Sequence, residues 1–196
     1  MVDGDVSGTV SGGCFGGDVG LSEEGVGVLK LFKPSVRRLE WKEQFARFGV
    51  LVHESGLLEL LEDSATLLIS NCSRTKGSSG DSAYPDQFYK GSMAQRTIRF
   101  AKWHKLPYGI LSDLYGIHFH DECLPFYNIH PSQVVDKELL AGKLQEKCRD
   151  RGITKLVYCN SSPIRARFYL DLILMAGLQA VYTTQLRVIR KGLFDV

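Results

Sequence analysis

The chain has 196 residues, 44% of them hydrophobic and 23% charged, with a net charge of +2 and a pI near 8.2. That length suits one domain with a full core, or one domain plus an extension, and is too short for two ordinary domains. No apolar run approaches the length that crosses a bilayer, which argues against a membrane partner, and the slight basic excess permits contact with nucleic acid without requiring it.

The start of the chain lacks the basic, apolar and small-residue segments of a secretory signal, so a reducing, cytoplasmic location is expected. The cysteines, Cys14, Cys72, Cys123, Cys148 and Cys159, are then expected as thiols. No two have the short spacing of a zinc site, so neither a metal nor another cofactor is expected. Nothing in the composition fixes an oligomeric state.

Residues 1–27 are rich in Gly, Ser, Val and Asp, with too little apolar surface to offset their ordering entropy, and read as a flexible arm. Residues 28–196 read as a single α/β domain with its core in 66–196. Val28 to Phe32 suggests a short strand before Pro34, Glu40 to Phe48 a short helix, Gly49 to His53 a strand, and Ser55 the cap of a further helix. These elements are expected to pack beside the main sheet.

Thr66 to Ser70 is a continuous apolar run of the kind that forms a parallel strand covered on both faces. A polar loop follows, and Ser92 to His104 has the spacing of an amphipathic helix. Tyr108 to Ser112 reads as a second buried strand, Tyr115-Gly116 as the turn leaving it, and Phe119 to His130 as a long loop. Asp136 to Asp150 reads as a helix with Leu139, Leu140 and Leu144 inward, ended by Gly152. Leu156 to Cys159 is a third strand. Ser162-Pro163 opens a helix running to Ala176, and Ala180 to Thr184 is a fourth strand. Strands alternating with helices predict a mostly parallel sheet of about four or more strands flanked by helices, with ligands at the carboxyl ends of the strands.

The loop Asn71-Cys72-Ser73-Arg74-Thr75-Lys76 leaves such an end, and two cations beside a thiol favour its thiolate, as a nucleophile requires. A small buried hydrophobe in a polar turn is the equally weighted alternative for Cys72. The loop lacks the GxxxxGK[ST] order of a P-loop, which discounts a nucleoside triphosphatase. Ser112 and Tyr115 follow the second strand, and Tyr115 suits stacking on a planar ligand, or anchoring of a turn. The group His118, His120, Asp121 and His130 is dense enough for proton transfer or metal binding, although packing histidines explain it as well. Asn160, Ser161 and Ser162 ahead of Arg165 and Arg167 suit an anion at a helix start, or ordinary capping.

Taken in order, Leu67-Leu-Ile-Ser-Asn-Cys-Ser-Arg-Thr-Lys76, Phe88-Tyr-Lys-Gly-Ser92, Ile110-Leu-Ser-Asp-Leu-Tyr-Gly116 and Leu124-Pro-Phe-Tyr127 resemble the YaaA-like superfamily. That superfamily includes YaaA peroxide-stress proteins, a bacterial and phage domain reading roughly SCSKTK…LYxGxxF…ILSAxYGL…PY, and, more distantly, the catalytic module of archaeosine synthase. The resemblance spans about Thr66 to Ser132. It departs at Asn71, at Arg74, and at Phe126, which separates Pro125 from Tyr127.

The resemblance implies a fold similar to uracil-DNA glycosylase and a nucleic acid, nucleobase or nucleotide as the partner. YaaA itself lacks an equivalent of Cys72, whereas archaeosine-synthase-like modules carry a cysteine in a similar loop. The leading expectation is that Cys72 attacks an electrophilic carbon of a modified base, for instance a deazaguanine nitrile, with Lys76 or Arg74 stabilising charge and Asp121 or a histidine moving protons. Asn71, Ser73, Arg74, Thr75, Tyr89, Gly91, Ser112, Tyr115, Gly116 and Tyr127 are the expected substrate-binding residues. The alternative is a non-catalytic nucleic-acid or nucleotide-binding module in DNA protection or stress response, with the same loop on phosphate. A base-cleaving glycosylase fits less well, because the first loop lacks a water-activating Asp.

Overall fold

The computed structural model describes residues 40–53, 57–73, 75–77, 82–129, 133, 136–184 and 186. The arm expected over 1–27, the strand expected over 28–32, the Ser55 cap, His130 and Arg74 lie outside the described residues.

The strands β1 (Leu51–His53), β2 (Thr66–Asn71), β4 (Tyr108–Ser112), β5 (Gly116–Phe119), β7 (Lys155–Cys159) and β8 (Gln179–Thr183) form a six-stranded sheet in the order β1-β8-β7-β2-β4-β5. All neighbours are parallel except β4 and β5, which form an antiparallel edge. A second, two-stranded ribbon pairs β3 (Ser82–Ala83) with β6 (Leu124–Pro125). The helices are α1 (Glu40–Arg47), α2 (Leu57–Leu60), α3 (Pro85–Phe88), α4 (Ser92–Trp103), α5 (Lys137–Arg149) and α6 (Pro163–Met175).

The continuous apolar runs become central strands because helices cover both faces. Leu67, Leu68, Ile69, Ile110, Leu111, Leu156 and Val157 are all essentially buried. From β2 the chain crosses through α4 to β4 on one side; from β5 it returns through α5 to β7 and continues through α6 to β8 on the other. Right-handed crossovers running in opposite directions put α4 on one face, and α5 and α6, packed on each other, on the opposite face. The reversal falls between β2 and β7, and in sheets of this kind ligands sit outside the carboxyl ends of the strands at that point. Among the described residues no helix is long and apolar enough to cross a membrane.

Local signals explain most boundaries. Asp136 caps α5 by accepting from the Leu139 amide at 2.7 Å, and Ser162 caps α6 with Pro163 in its first turn. Of the early elements, α1 packs beside the sheet as expected, with Phe45 meeting the Tyr182 ring of β8 at 5.0 Å, whereas β1 joins the sheet itself as the edge strand on β8.

Three further expectations need correction. The segment after Tyr115 is not a turn into a long loop but an edge strand, β5, paired back along β4 with Gly109 opposite Phe119. Part of the remaining loop forms β6. Leu139 is 58% exposed, and the inward stripe of α5 is Leu140, Ala141, Leu144 and Cys148; Leu139 falls outside it because it is turned about 100° from Leu140 on the side away from the other three.

Candidate functional site

The loop after β2 is tied to the end of β4. The Cys72 amide donates to the Leu111 carbonyl at 2.8 Å, extending the β2–β4 ladder one step past the strand. Asp113, the first residue after β4, then lies beside the thiol: Cys72 Sγ–H donates to Asp113 Oδ2 at 2.9 Å. From α6, Tyr169 Oη donates to Asp113 Oδ1 at 2.7 Å and lies 3.1 Å from Cys72 Sγ.

Thiol and phenol thus each commit their single proton to one oxygen of the same carboxylate. The third side of the triangle, sulfur to phenol oxygen, has no proton left for it. Cys72 is 7% exposed and Asp113 5%. Burial first, then the Asp113 charge and hydrogen bond, push the Cys72 thiol from 9.0 up to about 12; Lys76 pulls the other way with the smallest effect. The expected thiolate, favoured by adjacent cations, is therefore not the resting form. Burial and the Asp113 carboxylate together outweigh the Lys76 ammonium.

The Lys76 ammonium sits 4.5 Å from the Tyr127 ring centroid, a cation–π contact, and no carboxylate pairs with it among the described residues. The backbone around it is locked. Lys90 N donates to Thr75 O at 3.0 Å and Gly77 N to Phe88 O at 2.8 Å, so the loop runs as a short antiparallel pairing along the segment after α3. Gly91 N donates to Ser73 Oγ at 3.0 Å. A Cβ on Gly91 would fall 2.2 Å from Ser73 Cβ, so only glycine permits this approach. Gly91→Ala is expected to displace the Cys72 loop and lower the melting temperature, and Ser73→Gly in the same chain is expected to recover part of the loss, read by thermal unfolding of the two variants.

On the β7 side of Cys72, Asn71 Oδ1 accepts from Asn160 Nδ2 at 2.8 Å and from Tyr158 Oη at 3.2 Å, while Asn71 Nδ2 donates to the Cys72 carbonyl at 2.8 Å. Asn160 Oδ1 accepts from the Ser162 amide at 2.9 Å, and Tyr182 Oη donates to the Asn160 carbonyl at 2.7 Å. This network ties the ends of β2, β7 and β8 to the start of α6 and leaves Asn71 with structural partners on both its oxygen and its nitrogen.

Tyr89, Ser112, Tyr115 and Tyr127 converge from the third and fourth sequence segments and the end of α3. Tyr89 and Tyr127 hydroxyls are 3.3 Å apart, and the Tyr115 ring meets the Tyr127 ring edge-on at 5.4 Å while its hydroxyl donates to the Pro125 carbonyl at 3.1 Å. Ser112 Oγ accepts from the amides of Leu114 and Tyr115 at 3.3 and 3.0 Å. Gly116 has φ +72°, and its open side is filled by the α5 backbone.

The structure therefore brings Asn71, Cys72, Ser73, Thr75, Lys76, Tyr89, Gly91, Ser112, Tyr115 and Tyr127 to one end of the sheet. Gly91 and Gly116 act there through the backbone space they leave. Asp121 is a correction. Because β5 runs antiparallel to β4, the chain beyond Phe119 returns to the opposite rim, roughly a five-residue strand length (about 16 Å) from Cys72. There both Asp121 oxygens accept from Arg151 Nη1 at 2.8 Å, which holds the carboxyl below its usual range. An open depression of about 490 Å³ lined by Tyr84, Lys102, Tyr108 and His120 also lies at that far rim, away from the thiol.

The residues that sequence reasoning gave no role in the site are Asp113 and Tyr169. Tyr169 carried a readable signal: it lies in the inward stripe Ala166, Tyr169, Leu170, Ile173 of α6, and a phenol buried in an apolar stripe needs a hydrogen-bond partner.

Cys148 and Cys159 are also buried, and each is pushed from 9.0 up to about 12, as Cys72 is. Unfolded thiols titrate near 9.0, so this contribution is complete below pH 9 and is lost as pH rises from 9 towards 12, at up to ~1.4 kcal/mol per pH unit for each thiol. Urea unfolding at stepped pH is expected to show stability falling above pH 9, with a shallower fall in Cys148→Ala.

Compared with known protein families, with curated proteins and with solved structures, the chain matches none.

Proposed function

We propose that this chain is a nucleobase-modifying enzyme in which Cys72 adds to an electrophilic carbon of a modified base. The observation that carries this reading is the thiol–carboxylate–phenol cluster, with Cys72 Sγ–H on Asp113 at 2.9 Å, at the strand reversal where such sheets hold ligands.

A thiol held protonated against a carboxylate suits addition across a polarised multiple bond better than displacement by a free thiolate. With a deazaguanine nitrile, the Cys72 sulfur bonds to the nitrile carbon, one C–N π bond opens, and the thiol proton passes through Asp113 to the nitrogen. The product is a thioimidate; nothing leaves and no oxidant or reductant is consumed. Asp113 takes the proton-transfer role first assigned to Asp121. Lys76 stabilises charge developing on nitrogen, and Tyr115 and Tyr127 hold the base. Since Cys72 is 7% exposed, the residues covering it must move to admit the base.

The YaaA-like resemblance and its implied likeness to uracil-DNA glycosylase support a nucleic-acid context. Mass spectrometry of total nucleosides from cells with the intact chain, with Cys72→Ser and without the chain tests the reading. A modified nucleoside that depends on Cys72 is expected; identical profiles in all three would overturn it.

The near-complete burial of Cys72 also favours a second reading, a non-catalytic nucleic-acid or nucleotide-binding module in which Lys76 and the loop amides contact phosphate. Salt-sensitive binding of DNA or RNA that Cys72→Ser leaves unchanged would favour it.

A further inference from the structure

His118 lies on β5 with its side chain fully buried, and neither chemical reading above uses it. Its ring reaches two groups. Nε2 is 2.9 Å from the Glu122 carbonyl oxygen, which only accepts, so this nitrogen carries the proton. Nδ1, 3.4 Å from Tyr89 Oη, is then a bare lone pair in the neutral ring, and Tyr89 must donate to it.

Having spent its proton, Tyr89 can only accept from Tyr127, 3.3 Å away. Ser112 lies within reach of both phenols but already accepts from two backbone amides, so it offers them its proton rather than a place for theirs. The two phenol protons therefore run in one direction, from Tyr127 to Tyr89 and from Tyr89 to His118. Burial, the largest influence on His118, keeps the ring neutral, as this ordering requires; Lys147 acts in the same direction, and the Glu122 carbonyl and carboxylate act against it.

We propose that His118 is a positioning residue that orients the hydroxyl protons of Tyr89 and Tyr127, so that Tyr127 keeps a lone pair for a ligand held at this end of the sheet and selects ligands bearing an N–H or O–H donor there. This deepens the nucleobase reading, since an exocyclic amine or ring N–H of a base is such a donor.

The ordering is testable on the full chain without any ligand, so its failure is distinct from failure of the proposed chemistry. Nitrogen-15 NMR of the histidine rings is expected to show His118 as the Nε2–H tautomer. Tyr89→Phe is expected to raise its titration midpoint, because the donor that favours the neutral ring is gone. Tyr127→Phe, which leaves Tyr89 in place, is expected to raise it in the same direction by a smaller amount, an effect that mere packing does not transmit. An Nδ1–H tautomer, or a His118 midpoint unmoved by Tyr127→Phe, would overturn the proposal.

Discussion

Replacing Asp113 by Asn is expected to make Cys72 more acidic and less productive at the same time. The carboxylate's charge and its hydrogen bond both hold the thiol up, so their removal lowers the titration from about 12, while burial, the largest cause, keeps it above 9.0. A lower thiol pKa alone would speed reaction. In the addition proposed here the same carboxylate carries the proton to nitrogen, and a positioned proton carrier is worth about 10²–10⁴-fold in rate. Asp113→Asn should therefore shift the thiolate absorbance titration downward while slowing addition to a deazaguanine nitrile by at least about a hundredfold. A variant that reacts as fast as the parent would show that Asp113 only holds the loop.

Gly116→Ala is expected to cost the most stability of any single methyl added at the site. The backbone at Gly116 has φ +72°, which a residue with a Cβ adopts at a cost, and the added atom would fall 2.7 Å from the Leu144 amide nitrogen and 3.2 Å from the Leu140 carbonyl oxygen. These are backbone atoms of α5, so no side-chain rotation relieves the overlap. Strain and overpacking together give about 2–4 kcal/mol, a large share of a typical domain's stability, or roughly 5–15 °C in melting temperature. Gly142→Ala is the control, since nothing lies within 4 Å of its added Cβ. Equal melting temperatures for the two variants would contradict the packing described here.

Much of this geometry was legible in order and spacing. Tyr108 to Ser112 forms the strand expected, Thr66 to Ser70 extends one residue further to Asn71, and α4, α5 and α6 differ from expectation only at their ends. The four segments that carry the family resemblance meet at one place. Lys76 pairs across from Tyr89, Gly91 makes room for Ser73, and Cys72 hangs from Leu111.

The rest failed for identifiable reasons. Asp121 sits next to two histidines in sequence, but the antiparallel direction of β5 takes it to the far rim. The burial of His118 was not legible because the rings that cover it, Phe88 and Tyr89, come from another segment, Tyr89 being 29 residues away. Asp113 gains its role from Tyr169, 56 residues later, and no local pattern announces a contact of that range.

The covalent step is what separates an enzyme from a binding module here. Intact-mass analysis of the protein after incubation with a 7-cyano-7-deazaguanine base, followed by peptide mapping, tests it most directly. The account predicts a gain equal to the whole nitrile, located on the peptide holding Cys72 and absent from Cys72→Ser. Reversible binding with no gain in mass, or an adduct that Cys72→Ser still forms, would contradict it.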